Sequence, residues 1–452
     1  MKKNLMKKMT AFTAAVLMTS AIGLSAVTAF ADNGVTVVTQ DKTASQTISI
    51  EKDIVIYNPD GATVYVPTIT YYYNVAAATV SANDTITDNE GNTVKVKAGV
   101  TDGVTLGTDS TAEFPKGTET TVTASATGTV LTDTFNLVID PTKFTAAGVY
   151  RYIITEDTGT ERLTAVGMTR SSNDYVSTRT LDVYIEDNNG ARGVVGYVLS
   201  VGNDTTTING EDNDPATTIT GKTTGFVQDY IDKTVDPELD GTLDTGKDPK
   251  TDLKLADEYY TYNYEVTKFI TGNLSDKTET FPFTVTVKGN NGQKFTADGQ
   301  EAAIASGEKV IKKPLGNNES IELIGIPANA SIAVEESNPN LGTYTVSLTE
   351  ADGITAPALV YSDTTANKLT PGSTASFAEK KISAYENAAT PANALLDKQN
   401  LKDTTFTNDL QTISPTGVVL MAAPYAIMLG AAVFFIVFSL RRRRDDEAKN
   451  TI

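Results

Sequence analysis

Several residues stand where apolar side chains belong, and their types could make a bond. Side chains of a strand alternate between its two faces, so residues of one parity share a face. Tyr262, Tyr264, Val266, Lys268 and Ile270 form one such face, with Lys268 inside it. Ile332, Val334 and Glu336 form a second, and Phe406, Asn408 and Leu410 a third. The N-terminal half repeats the order: Ile48, Ile50, Lys52, Ile54 and Ile56, then Tyr150, Tyr152, Ile154 and Glu156. Its closing run is Phe226, Gln228 and Tyr230. Charged side chains are almost never buried without a partner.

The chemistry that uses these parts is an intramolecular isopeptide bond. A buried lysine is desolvated, and its neutral amine becomes a nucleophile. A buried carboxyl keeps its proton, polarises an Asn carboxamide and shuttles protons as ammonia leaves. Fixed proximity supplies the rest, with effective molarities of ~10⁵ M or more for well-oriented groups. The event is a single turnover and needs no cofactor and no metal. In the second half it assigns Lys268 and Asn408 as the bonded pair and Glu336 as the assisting acid. In the first half Lys52 and Glu156 fit, but Gln228 stands where Asn is needed. Gln has one more methylene, which displaces its carbonyl by about one C–C bond length. The alternative for both halves is an ordinary buried ion pair inside a sandwich.

The elements that must hold these residues read as β. From Asp32 to Gln411, Thr, Val, Tyr and Ile dominate in short alternating runs, punctuated by Asp60-Gly61, Asn189-Gly190 and Asn291-Gly292. Only Ala384 to Leu401 suggests a short helix. The expectation is all-β, with two Ig-like β-sandwich domains in tandem at 32–231 and 256–411. Residues 232–255, with Asp-Lys-Thr-Val-Asp-Pro-Glu-Leu-Asp-Gly and little periodicity, read as an acidic linker. Asp236, Glu238, Asp240 and Gly241 imitate the start of a calcium loop, but Lys247 replaces the bidentate acid at its twelfth position.

The ends predict export and anchoring. Lys2, Lys3, Lys7 and Lys8 precede a mostly apolar run, and Ala29-Phe30-Ala31 is an A-x-A site, so residues 1–31 read as a signal peptide cut between Ala31 and Asp32. Near the other end, Val418 to Leu440 carries no charge and is followed by Arg441 to Arg444. As a helix the run reaches roughly 34 Å, enough to span a bilayer, with the arginines on the cytoplasmic side. Membrane contact is expected only through this span, before cleavage. The exported part is acidic, which disfavours nucleic acid and anionic lipid. The whole chain has 37 basic and 56 acidic residues and neither Cys nor His. Disulfides, thiol catalysis and Ser-His catalysis are therefore excluded.

Residues 412–452 resemble the cell-wall sorting signal of Gram-positive surface proteins, an L-P-x-T-G motif with an apolar span and a basic tail. Here the motif reads Ile413-Ser414-Pro415-Thr416-Gly417. The resemblance implies that a sortase cuts between Thr416 and Gly417 and passes the threonine carbonyl to an amine. Both halves also resemble the major pilins of sortase-assembled Gram-positive pili, the isopeptide-linked two-domain type. Val266-Thr267-Lys268, Val334-Glu335-Glu336 and Phe406-Thr407-Asn408 carry the likeness in the second half, Lys52 and Tyr152-Ile153-Ile154-Thr155-Glu156 in the first. It implies a wall-anchored shaft subunit with sortase as partner, joined to neighbouring pilin subunits or peptidoglycan. It also makes Lys222 the candidate acceptor of the next subunit, although a solvated surface lysine accounts for it more simply. A monomeric wall-anchored adhesin, binding a host-surface ligand, is the second reading. A wall-acting enzyme with two carboxylates is the third, and no paired-acid motif supports it.

Overall fold

The computed structural model describes residues 35–38, 41–87, 93–170, 177–201, 223–227, 256–339, 342–350, 358–381, 403–410, 428–429, 431–433 and 436. The signal peptide, the 232–255 linker with its acidic loop, the 384–401 helix and the I-S-P-T-G motif lie outside them. Of the apolar run, only residues 428–429, 431–433 and 436 are described, and they are helical. Among the described residues no helix is long and apolar enough to cross a membrane.

The chain is all-β and divides into two compact units. Unit 1 takes the described residues within Met1–Ile56, Thr68–Thr120 and Thr129–Tyr259. Unit 2 takes those within Tyr57–Pro67, Thr121–Gly128 and Tyr260–Ile452.

In unit 1 one sheet runs Val35–Val37, Ala191–Val201, Thr178–Asn188, Gly148–Glu156, Ile69–Ala77 and Thr111–Phe114. The lysine strand, Gln46–Tyr57, lies in another sheet, antiparallel to Thr129–Ile139. Core side chains from the two sheets meet: the Tyr73 ring stacks on Phe135 with centroids 3.5 Å apart. The short closing strand, Gly225–Phe226, runs parallel to the lysine strand and sets Phe226 opposite Lys52. Its approach requires glycine, because a Cβ at Gly225 would fall 2.0 Å from the Glu51 carbonyl oxygen. One helix escapes the reading by parity: Thr160–Val166 is two turns long and ends at Gly167, whose φ of 80° is left-handed. A run this short shows too little period to be read from sequence.

In unit 2 the lysine strand is Asp257–Thr271, whose first three residues belong to unit 1. It pairs antiparallel with Glu319–Pro327 and parallel with the closing strand Thr404–Asp409. The acid strand, Ser331–Ser337, belongs to a second sheet between Phe281–Lys288 and Thr374–Lys381. The sheets are joined by aromatic packing. Phe406 is fully buried, meeting Phe283 edge-on with centroids 5.2 Å apart and Phe377 at 6.1 Å.

Candidate functional site

In unit 2 the closing strand sets Phe406 opposite Lys268 and Asn408 opposite Ile270. Tyr264 fixes that register by donating its hydroxyl to Thr404 Oγ1 at 2.7 Å. From Ile332 onward the acid strand alternates, burying Ile332, Val334 and Glu336 and exposing Glu335. Strand parity therefore delivers Lys268, Glu336 and Asn408 to one point in the core. All three residues are 0% exposed.

Their contacts converge on a single atom. Glu336 Oε1 lies 2.8 Å from Lys268 Nζ. The same oxygen accepts a hydrogen bond from Asn408 Nδ2 at 2.7 Å. Asn408 Oδ1 is buried without a hydrogen-bond partner among the described residues. The Phe281 ring lies under the Lys268 amine, 4.6 Å from its centroid. Burial pushes the Lys268 amine down to about 8, although Glu336 opposes the shift. Burial pushes the Glu336 carboxyl above its ordinary value, against the pull of Lys268 and Asn408. Both shifts favour the uncharged forms, an amine that can attack and an acid that can give a proton.

In an Asn408→Ala variant no bond can form and the pair persists. Lys268 then titrates near 8 when folded and at the ordinary 10.5 when unfolded. Between those values the unfolded chain holds more protons, so stability should rise with pH. We expect a gain of about 1–2 kcal/mol between about pH 8 and 9.5 from urea melts. Burial raises Tyr259 and Tyr264, which opposes the trend only as ordinary tyrosines begin to ionise, near 10. A flat or falling profile over that window would show that Lys268 is not desolvated.

Unit 1 gathers a larger cluster. Lys52 Nζ lies 2.9 Å from Glu156 Oε2 and 3.1 Å from Asp257 Oδ2. Arg170 holds the outer oxygens, with one terminal nitrogen (NH2) 2.6 Å from Glu156 Oε1 and Nε 3.1 Å from Asp257 Oδ1. The Lys52, Glu156 and Asp257 side chains are 0% exposed. As in unit 2, an aromatic ring underlies the amine: Tyr71, 4.2 Å from Lys52 Nζ.

The structure thus brings together Lys268, Glu336 and Asn408, and separately Lys52 and Glu156. Gln228, Lys222, Thr416, Gly417, Ala31 and Asp32 lie outside the described residues. Sequence reasoning missed Asp257 and Arg170. The signal for Asp257 is an acid heading a long apolar strand, obscured because the sequence pattern sets the start of the second domain at residue 256. Arg170 sits on the three-residue strand Met168–Arg170, paired with Asp257–Tyr259, and so short a strand leaves no periodic mark. Among the described residues no cluster of acids can hold a metal ion.

A family described as a domain of unknown function (DUF7601) matches residues 262–381. No curated protein matches the chain. Among solved structures, the chain is similar to the major pilin protein T-13 from Streptococcus pyogenes, at 15% identity and a TM-score of 0.36, covering 84% of this chain and 99% of that one. The major pilin protein T3.2 from the same organism matches at 18% identity and a TM-score of 0.35, covering 81% and 99%. A pilus-presented adhesin matches at 16% identity and a TM-score of 0.20, covering 52% of this chain and 37% of that one.

Proposed function

We propose that the chain is a structural protein of the bacterial surface, hardened by a self-made amide bond between Lys268 and Asn408. The observation that carries this reading is the double contact of Glu336 Oε1, with the attacking nitrogen at 2.8 Å and the leaving nitrogen at 2.7 Å. One oxygen can take a proton from Lys268 Nζ and deliver it to Asn408 Nδ2. The amine attacks Asn408 Cγ, the Cγ–Nδ2 bond breaks, ammonia leaves and Glu336 is regenerated. Full burial of the three side chains keeps bulk water from competing for the carbonyl. A bond made once, without cofactor, suits a load-bearing part of a cysteine-free chain better than it suits a turnover enzyme.

The two end signals extend the reading. The exported protein spans Asp32 to Thr416, and a sortase joins Thr416 to an amine of the wall or of the next subunit, as in a pilus shaft. Intact mass and gels test both levels. The exported chain should weigh about 17 Da less than its sequence for the Lys268–Asn408 bond, one ammonia, besides any loss in unit 1. Wall extracts boiled in detergent should show a ladder of covalent multimers. A single anchored band would favour the monomeric adhesin. Wall-extracted protein still carrying Arg441 to Arg444 would remove the sortase step.

A further inference from the structure

We propose that Tyr361 is the positioning residue of the unit 2 site. Its hydroxyl pins the sheet that carries Glu336 to the sheet that carries Asn408, and so sets the distance across which the proton relay works. The proposal rests on the Lys268–Asn408 bond argued above and concerns how the two sheets of that site are aligned.

Strand register brings Tyr361 into line with both groups. Leu359–Tyr361 is an edge strand of the acid's sheet and pairs with Thr374–Lys381. Ala375 lies opposite Tyr361 on one side and opposite Glu336 on the other, so Glu336, Ala375 and Tyr361 form one row. Ala375 is fully buried and ends at its methyl, which leaves room in the row for the tyrosine ring. In the other sheet Thr345–Glu350 pairs antiparallel with the closing strand and sets Val346 opposite Asn408. The Tyr361 hydroxyl crosses from the first sheet to the second. It accepts a hydrogen bond from Val346 N–H at 3.3 Å and donates one to Val346 C=O at 3.0 Å. The row of Glu336 is thereby tied to the residue that stands opposite Asn408.

The relay needs such a joint. Lys268 and Asn408 lie on adjacent strands of one sheet, so the ladder between those strands fixes their spacing. Glu336 comes from the other sheet, yet its Oε1 must hold Lys268 Nζ at 2.8 Å and Asn408 Nδ2 at 2.7 Å at once. Apolar packing holds the two sheets together but is non-directional and permits small slides. A hydroxyl that both gives and accepts is satisfied in one register only. Tyr361 also keeps its proton for the bond: burial pushes it above its ordinary value, against the pull of the Val346 backbone, and the Glu336 charge adds to the rise. A misplacement of about 1 Å costs a proximity-driven step on the order of 100-fold.

The test is the rate of bond formation in Tyr361→Phe, which keeps the ring and removes the hydroxyl. The full chain is sampled at intervals after a short pulse of synthesis, and peptide mapping gives the fraction of Lys268 peptide joined to the Asn408 peptide. We expect linkage at least about tenfold slower than in the wild type. A second comparison separates alignment from folding. In the Asn408→Ala background, where no bond forms, adding Tyr361→Phe should lower the melting temperature by only about 2–4 °C, the effect of one lost hydrogen bond in a protein of this size. Trypsin resistance of unit 2 should be unchanged in that background. Linkage of Tyr361→Phe at the wild-type rate overturns the proposal. Loss of trypsin resistance, or a much larger fall in melting temperature, overturns it too, because the hydroxyl then serves folding and not alignment. A wild-type chain with no joined Lys268 and Asn408 peptides is a separate failure: it removes the bond itself, and the role of Tyr361 with it.

Discussion

Glu336→Ala should leave unit 2 folded but unlinked between Lys268 and Asn408, with a mass about 17 Da above the linked wild type, the ammonia not expelled. The strands and their aromatic packing do not depend on the carboxyl. Phe406 still meets Phe283 and Phe377, and Tyr264 still holds Thr404. What disappears is the relay, because no other carboxylate contacts Lys268 Nζ among the described residues. The variant also loses the partner of a buried amine. Stranding a buried charge costs roughly 3–5 kcal/mol, and somewhat less if the amine sheds its proton, which burial favours once Glu336 no longer opposes it. The expected phenotype is thus a lower melting temperature and faster trypsin cleavage together with the heavier mass. Glu336→Gln separates the effects, since it keeps the shape and a hydrogen bond to Asn408 yet cannot relay a proton. It too should stay unlinked, with a smaller loss of stability. Full linkage in either variant would mean that Glu336 positions groups without transferring protons.

Much of this site was legible in sequence because strand geometry is strict. A period of two fixes the face of every residue once the apolar ones are known, so Lys268, Glu336 and Asn408 declared themselves as polar residues at apolar positions. Lys52 and Glu156 did so for the same reason. The pairing of distant strands was not legible. That Thr404–Asp409 runs parallel to Asp257–Thr271 depends on contacts across more than a hundred residues, which no local period encodes. Asp257 was missed on both counts. It precedes the stretch where burial alternates, since residues 257–262 are buried at both parities, and it serves a unit that otherwise precedes it in sequence. Arg170 reaches the site from a three-residue strand with 20% of its side chain still exposed, and a partly exposed arginine is ordinarily uninformative in a sequence.

Pulled from its two ends, the wild-type chain should withhold the segment between residues 268 and 408 at any force that leaves covalent bonds intact. Tension reaching Lys268 along the backbone passes through its side chain to Asn408 and onward, so the 140 steps of chain between them carry no load. In Asn408→Ala the tie is absent and that segment unravels when the sandwich yields. At about 3.4 Å per residue the additional contour length is roughly 480 Å, less the span of the folded segment. The tie also changes equilibrium stability. Closing a loop of this size removes on the order of 5 kcal/mol of unfolded-state entropy in the chain-entropy account of cross-links. The mechanical effect is the more decisive because it is all or none per molecule, whereas the entropic term competes with whatever strain the bond introduces. Phe406 and Thr404 precede the tie on the closing strand and are fully buried whether or not the bond forms, so the sandwich folds with or without it. Single-molecule force spectroscopy on the two proteins gives the difference directly. Equal contour lengths would show that no covalent bond spans residues 268 and 408, leaving Lys268 and Glu336 as a buried ion pair.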